Sequence, residues 1–127
     1  MALSAGETTR WPVELRLKRA QKLLEVAFDD GSQFSLPAEY LRVESPSAEV
    51  QGHGPGQKTL VPGRAHVGII GIEPVGNYAV RMTFDDLHDT GIYSWSYLCQ
   101  LGVERERRWR DYLDGLAANG LSQEPAR

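Results

Sequence analysis

Between residues 13 and 18 apolar and charged side chains alternate, with Val13, Leu15 and Leu17 on one face and Glu14, Arg16 and Lys18 on the other. A period of two predicts a half-buried strand. Leu24, Val26 and Phe28 resume the alternation after a break near Ala20 and Gln21, so the two runs form an antiparallel hairpin. Asp29-Asp30-Gly31-Ser32 reads as a turn, because Gly accepts positive φ and Asp bonds its own backbone. Residues 33–36 return as a third strand, which completes a meander.

Pro37 suits the first position of a helix, where no amide is needed. Residues 38–43 follow as a short helical turn with Tyr40 and Leu41 inward, and residues 45–49 end it. Residues 51–62 contain three Gly and two Pro around His53, with no periodicity, and are expected to form a loop. Connections of about a dozen structureless residues are more often functional than accidental. Residues 67–72 are apolar apart from Gly68 and Gly71, Val75-Gly76-Asn77 makes a turn, and residues 78–84 form a strand with Tyr78, Val80 and Met82 on one face. This second hairpin is expected to extend the first sheet, since two strands alone bury too little.

The junction beginning at Asp85 is read as leading into helix. Residues 93–101 form a short helix capped by Ser94 and stopped at Gly102. Residues 103–118 form another, with Trp109, Tyr112, Leu113 and Leu116 spaced by three and four and a Glu104–Arg108 pair on its exposed face. The resulting class is α+β: a small, mostly antiparallel sheet built from two hairpin systems, short helices and a C-terminal helical pair. Residues 1–10 are expected to be a flexible N-terminus, 11–118 one domain, and 119–127 a flexible tail beyond the Asn119-Gly120 stop.

A length of 127 residues suits a single modest core, and 41% hydrophobic with 24% charged residues is an ordinary globular balance. A formal charge of −3 argues against a nucleic-acid binder, which needs concentrated basic surface. Arg105, Arg107, Arg108 and Arg110 do crowd one segment, which reads as a solvated helix face. One cysteine, Cys99, forms no internal disulfide and no thiolate cluster; it reads as a buried apolar residue. No apolar run approaches the roughly 20 residues that span a bilayer, and residues 1–10 do not resemble a secretory signal. A cytoplasmic location without membrane contact is expected.

Two stretches carry a family resemblance. One is Leu41-Arg42-Val43-Glu44-Ser45-Pro46-Ser47-Ala48-Glu49-Val50-Gln51-Gly52-His53-Gly54. The other joins Tyr78-Ala79-Val80 to Phe84-Asp85-Asp86-Leu87-His88-Asp89-Thr90-Gly91-Ile92-Tyr93-Ser94-Trp95. Together they resemble the gamma-butyrobetaine hydroxylase-like N-terminal domain family. The resemblance implies a small, sheet-rich domain that stands ahead of an iron- and 2-oxoglutarate-dependent dioxygenase, accompanies iron–sulfur assembly ATPases, or occurs alone. In the hydroxylases it holds a structural zinc through Cys-x-Cys-x-x-Cys and a later His. Position by position, those ligands fall here on Ser45, Ser47, Val50 and His88, so one ligand of four is kept. A serine hydroxyl is a poor zinc ligand at neutral pH and valine offers no donor. The segment is therefore expected to hold its turn by hydrogen bonds and packing, with no cofactor. Only eleven residues follow Leu116, too few for a dioxygenase domain.

The residues with chemistry to offer are His53, His66, Asp85, Asp86, His88 and Asp89. His88 among carboxylates suits a divalent ion or acid–base work, and equally a turn whose polar groups bond the backbone and cap the next helix. No nucleophile is indicated beside it. His53 and His66 join it only if the 51–62 loop folds over the turn. Gly52-His53-Gly54-Pro55-Gly56-Gln57-Lys58 lacks the Gly-Lys-Ser/Thr ending of a phosphate loop. Tyr93, Trp95 and Tyr97 read as core aromatics.

These readings converge on a non-catalytic accessory or protein-interaction domain, with no catalytic residues. The resemblance suggests iron–sulfur or metal-enzyme maturation as the setting and a cluster-assembly factor or metalloenzyme as partner. The expected recognition surface is the 52–62 loop beside the 85–91 turn. Two alternatives remain: a domain binding zinc or another divalent metal through His88 with nearby His or Asp, and a small enzyme of undefined reaction.

Overall fold

Ten elements follow one another in the computed structural model, which describes residues 11–52, 56 and 58–125. The strands are β1 (Pro12–Lys18), β2 (Leu23–Phe28), β3 (Gln33–Pro37), β4 (Ile69–Val75), β5 (Ala79–Phe84) and β6 (Gly91–Ser94). The helices are α1 (Ala38–Val43), α2 (Ala48–Gln51), α3 (Trp95–Val103) and α4 (Arg105–Ala118). The expected α+β class with two hairpin systems and a C-terminal helical pair is what the chain adopts. The expected flexibility of residues 1–10, and the reading of His53, fall outside the described residues.

The register shows why the alternating pattern works from Leu15 onward; Val13, expected on the same inner face, is exposed where the β1–β2 pairing slips between Pro12 and Glu14. In the first sheet, ordered β1-β2-β3, Leu24 stands opposite both Leu17 and Leu36, and Val26 opposite both Leu15 and Phe34. In the second, ordered β4-β5-β6, Met82 faces Ile72 and Gly91, while Val80 faces Pro74 and Tyr93. These cross-strand rows supply one principal core, shared with Tyr40 and Leu41 of α1 and Leu98 and Leu101 of α3. A second apolar cluster gathers Val43, Val50, Val61, Tyr112 and Leu116.

The hairpins do not merge into one sheet as expected. The β1–β2 turn meets β4 through side chains: Arg19 donates to the Ile70 carbonyl at 3.1 Å and Lys22 to the His66 carbonyl at 2.7 Å. With long side chains bridging that seam, no backbone ladder crosses it. Tyr78 lies in the β4–β5 turn and is exposed, so the inward row of β5 is Val80, Met82 and Phe84. The 85–98 stretch does not pass directly into helix either. Its four-residue strand β6 is too short for an alternation to be read, since only Tyr93 marks its inner face. Ser94 caps α3 as expected, accepting from the Tyr97 amide at 3.1 Å. Residues 45–49 do not simply end a helix; they lead into the single turn α2.

Gly102 was expected as a helix stop, yet α3 continues to Val103. Its role is steric: a Cβ there would collide with the ring of Phe34 on β3. The segment expected as a tail is tied down. Gly63 and Ala65 amides donate to the Ser122 and Gln123 carbonyls, both at 2.9 Å, and the Gln123 amide reaches the Glu39 carboxylate. Asn119 does end α4, with Gly120 at φ +66° just beyond.

Four tyrosine hydroxyls stitch the layers together by donating to main-chain carbonyls. Tyr40 reaches Leu101 (2.6 Å), Tyr93 reaches Leu41 (2.5 Å), Tyr97 reaches Glu44 (2.5 Å) and Tyr112 reaches Val61 (2.7 Å). The first three bind α1 and its exit to α3 and β6. Trp95 does the same for the β4–β5 turn through Asn77.

Replacing Gly102 by Ala forces Phe34 off its position and should lower stability by about 1–3 kcal/mol, the usual cost of overpacking. Denaturant unfolding of the variant checks this; an unchanged midpoint would remove the steric account.

Candidate functional site

Helix α1 and its exit form an unbroken buried run from Tyr40 to Ser45, although Arg42, Glu44 and Ser45 are polar. Burying such groups is costly unless each is paired. Each of the three finds a partner far along the chain, Arg42 and Ser45 on the same β5–β6 turn, although Arg42 Nη1 is buried without a hydrogen-bond partner among the described residues. Glu44, only 2% exposed, receives both carboxylate contacts from Lys58 Nζ (2.7 and 2.8 Å) and a third from Arg108 Nη1 (2.7 Å). Arg42 Nε donates to Asp86 Oδ2 at 2.8 Å, and Arg64 Nε approaches the same oxygen at 2.7 Å. Ser45 Oγ lies 2.9 Å from His88 Nε2.

The last contact belongs to a closed cluster. Ser47 Oγ stands 3.2 Å from Ser45 Oγ and 3.4 Å from His88 Nε2, and the Ser47 amide donates to Ser45 Oγ. On the other side of the ring, Nδ1 lies 3.3 Å from Glu49 Oε2. The tautomer carrying its proton on Nδ1 satisfies both sides, donating to Glu49 and accepting from Ser45. Gln51 holds the Ser45 carbonyl at 2.8 Å. Gly91 is required here, because a Cβ would sit 2.5 Å from Ser45 Oγ.

Desolvation pushes the His88 pKa down and the Arg42 charge pushes it further, with Glu49 and Asp86 only partly offsetting them. The ring is therefore neutral at pH 7. Desolvation alone would raise the Asp86 pKa, but the Arg42 hydrogen bond, the His88 amide and the two guanidinium charges outweigh it and lower the net value.

Ser45, His88 and Glu49 line up as a nucleophile, base and orienting carboxylate would. No local pattern marks Ser45 as a nucleophile beside His88, because the two lie 43 residues apart along the chain; only the family correspondence pairs them. Geometry alone does not make this a catalytic site: Ser45 is 0% exposed and His88 6%, so a substrate carbonyl has no approach to Oγ. The arrangement serves as an internal clamp joining α2 to the β5–β6 turn.

The expected surface is only partly assembled. His66 is exposed and pairs with Glu124 of the C-terminal segment at 2.9 Å, not with His88. Asp85 is exposed, its amide held by the Gly68 carbonyl, and Asp89 is exposed near Arg81. His88 is buried, and the Asp86 side chain is partly covered by its two arginines. The 51–62 stretch contributes Lys58 to Glu44, and just beyond it Arg64 reaches the turn through Asp86. The arginine segment divides: Arg108 turns inward to Glu44, while Arg107 and Arg110 make exposed pairs with Glu104 and Glu106 and Arg105 caps the Ser35 carbonyl. Cys99 is partly buried against the principal core.

A family model described as gamma-butyrobetaine hydroxylase-like, N-terminal, matches residues 15–99. The chain belongs to this family. Three solved structures resemble this gamma-butyrobetaine hydroxylase-like N-terminal domain. Two are solution NMR structures: one is 43% identical with a TM-score of 0.82, covering 94% of each chain; the other is 46% identical at 0.81, covering 99% of this chain and 94% of that one. The third is a crystal structure from Acidithiobacillus ferrooxidans, described as a protein of unknown function in the DUF971 family. It is 38% identical at 0.61 and covers 72% of this chain and 91% of that one. No curated protein matches.

The positions that carry zinc in the hydroxylase members can now be judged by their chemistry. Ser45, Ser47 and His88 do converge, but two are hydroxyls already engaged with the imidazole. Val50 belongs to the second apolar cluster. This donor set does not fit a tetrahedral zinc. Among the described residues no group of three or more His, Cys, Asp or Glu has metal-holding geometry. No helix there is long and apolar enough to cross a membrane.

Two outcomes are expected of this cluster. The unfolded chain takes up a proton on His88 near the ordinary value of 6.5 while the folded chain resists it. This group's stabilising contribution is therefore full above that value and declines as pH falls through it toward the lower folded value. Thermal unfolding from pH 8 to 5 should show that loss, and His88→Gln should flatten it. Ser45→Ala leaves His88 Nε2 without its close partner and should cost about 1–3 kcal/mol by denaturant unfolding.

Proposed function

We propose that this domain is a non-catalytic accessory module that acts by binding another protein. The observation that carries the reading is how its reactive side chains are engaged. His88 is enclosed by Ser45, Ser47 and Glu49, and Asp86 is shared by Arg42 and Arg64. Groups held this way build a rigid surface rather than a reaction centre. Family resemblance supports iron–sulfur or metal-enzyme maturation as the setting, with a cluster-assembly factor or metalloenzyme as partner. We place that partner on the surface beside the 85–91 turn, flanked by Arg64.

A second reading, a small hydrolase, draws support from the Ser45–His88–Glu49 alignment alone. It requires an opening that exposes Ser45. A fluorophosphonate that labels Ser45 in the native chain, but not in the His88→Gln variant, would favour it.

The interaction reading is tested by quantitative affinity capture from extracts of the source organism, alongside elemental analysis of the native protein. Reproducible enrichment of a metalloprotein or cluster-assembly factor, with less than about one metal per five chains bound to the domain, is the expected result. Stoichiometric metal lost on His88→Ala would replace this reading with the metal-binding one. Failure to enrich any partner would count against the interaction reading.

A further inference from the structure

Four of the eight large apolar side chains exposed among the described residues lie on the second sheet or its turns: Ile70 on β4, Tyr78 before β5, Leu87 after β5 and Ile92 on β6. The inward side of this sheet is filled by Ile69, Val80, Met82, Phe84 and Tyr93. Its other side shows Ile92 directly across from Arg81, which in turn stands across from Glu73. Helix α3 follows β6 and packs on the core side through Leu98 and Leu101.

Leu87 is the extreme case, 83% exposed and at φ +72°. A bulky side chain is unfavourable in the left-handed region, where Asn or Gly would sit more easily. It gains no burial in return. The turn is nevertheless fixed on both sides of it. The Leu87 amide donates to the Phe84 carbonyl and the Phe84 amide to the His88 carbonyl, both at 2.9 Å, while Asp86 and His88 anchor the turn to α1 and α2. The clamp described above therefore holds one apolar side chain outward in a backbone state it would not choose.

The surroundings define the partner's chemistry. Asp85 and Asp89 are exposed on either side of Leu87, and Glu49, whose side chain is 64% exposed, reaches the turn through His88 Nδ1 and Thr90. Arg81 is nearby but is engaged by Glu73 at 2.8 Å. We infer that Leu87, with Ile92, anchors a protein partner that offers an apolar socket or side chain flanked by Lys or Arg. This deepens the interaction reading proposed above and rests on it. Apolar anchors within a polar rim carry most of the energy at such contacts, and the charged rim governs salt dependence and approach.

The test pans a random linear peptide library on the native chain and compares the enriched peptides on two variants. Leu87→Asn removes the anchor while suiting the left-handed backbone, so its thermal midpoint should equal or exceed that of the native protein. Ile92→Ser removes the second contact independently. Enriched peptides should carry an aliphatic or aromatic residue flanked by Lys or Arg and should weaken with added salt. They should lose roughly ten-fold or more in affinity on Leu87→Asn. Peptides that bind both variants as tightly as the native chain, acidic consensus sequences, or no enrichment would overturn the assignment of this surface. A partner that is still captured by Leu87→Asn would move the surface elsewhere and leave the interaction reading standing; a chain that captures nothing in any form would end that reading itself.

Discussion

Three closely spaced demands for partners, made by Arg42, Glu44 and Ser45 inside the protein, organise this fold more than any single apolar contact. Hydrophobic burial supplies most of the driving force, but it is non-directional and would tolerate several packings. A buried guanidinium, carboxylate and hydroxyl tolerate few, because each lost partner leaves an uncompensated polar group. Arg42 fixes the β5–β6 turn through Asp86, Glu44 fixes Lys58 and α4, and Ser45 fixes His88. The short helix α1 thus reads as a hub to which three distant segments report.

Much of this was legible along the chain. The alternation in residues 13–28 has a period that only a strand satisfies, and the spacing of Trp109, Tyr112 and Leu116 only a helix. The Ser94 cap and the Asn119 stop are local signals whose meaning needs no tertiary context. What stayed hidden was non-local or too short. Strand β6 shows a single inward residue, and α2 is one turn. Gly102 looked like a stop because a glycine at a helix end is ambiguous until Phe34 is seen against it. The separation into two sheets goes with Arg19 and Lys22 reaching carbonyls 51 and 44 residues away, which no period encodes.

The site was legible in a different way. Composition alone made His88 and its carboxylates conspicuous, yet said nothing of their fates. The correspondence with the zinc positions placed Ser45, Ser47 and His88 together, and they do meet. It did not identify Glu49 as the second partner of the ring, nor the pairing of Asp86 with two arginines. His66, equally visible in the sequence, turns out to serve the C-terminal segment. At the positions that the resemblance assigns to zinc ligands, Ser45, Ser47 and His88 are joined by hydrogen bonds, the Glu49 carboxylate holds the far side of the ring, and Val50 joins the apolar packing.

The tyrosine hydroxyl bonds carry a consequence for how the molecule assembles. Tyr40 to Leu101, Tyr93 to Leu41 and Tyr97 to Glu44 each span more than fifty positions of chain. None can form until β6 and α3, made late in synthesis, have closed over α1, made early. Such closures cost loop entropy before they return any stability, so they belong to the slow end of folding. A ribosome-bound chain lacking α3 and α4 therefore leaves Tyr40 and the Glu44 carbonyl without their hydroxyl bonds and the Glu44 carboxylate without Arg108, and the nascent domain must wait for these helices before its centre is complete.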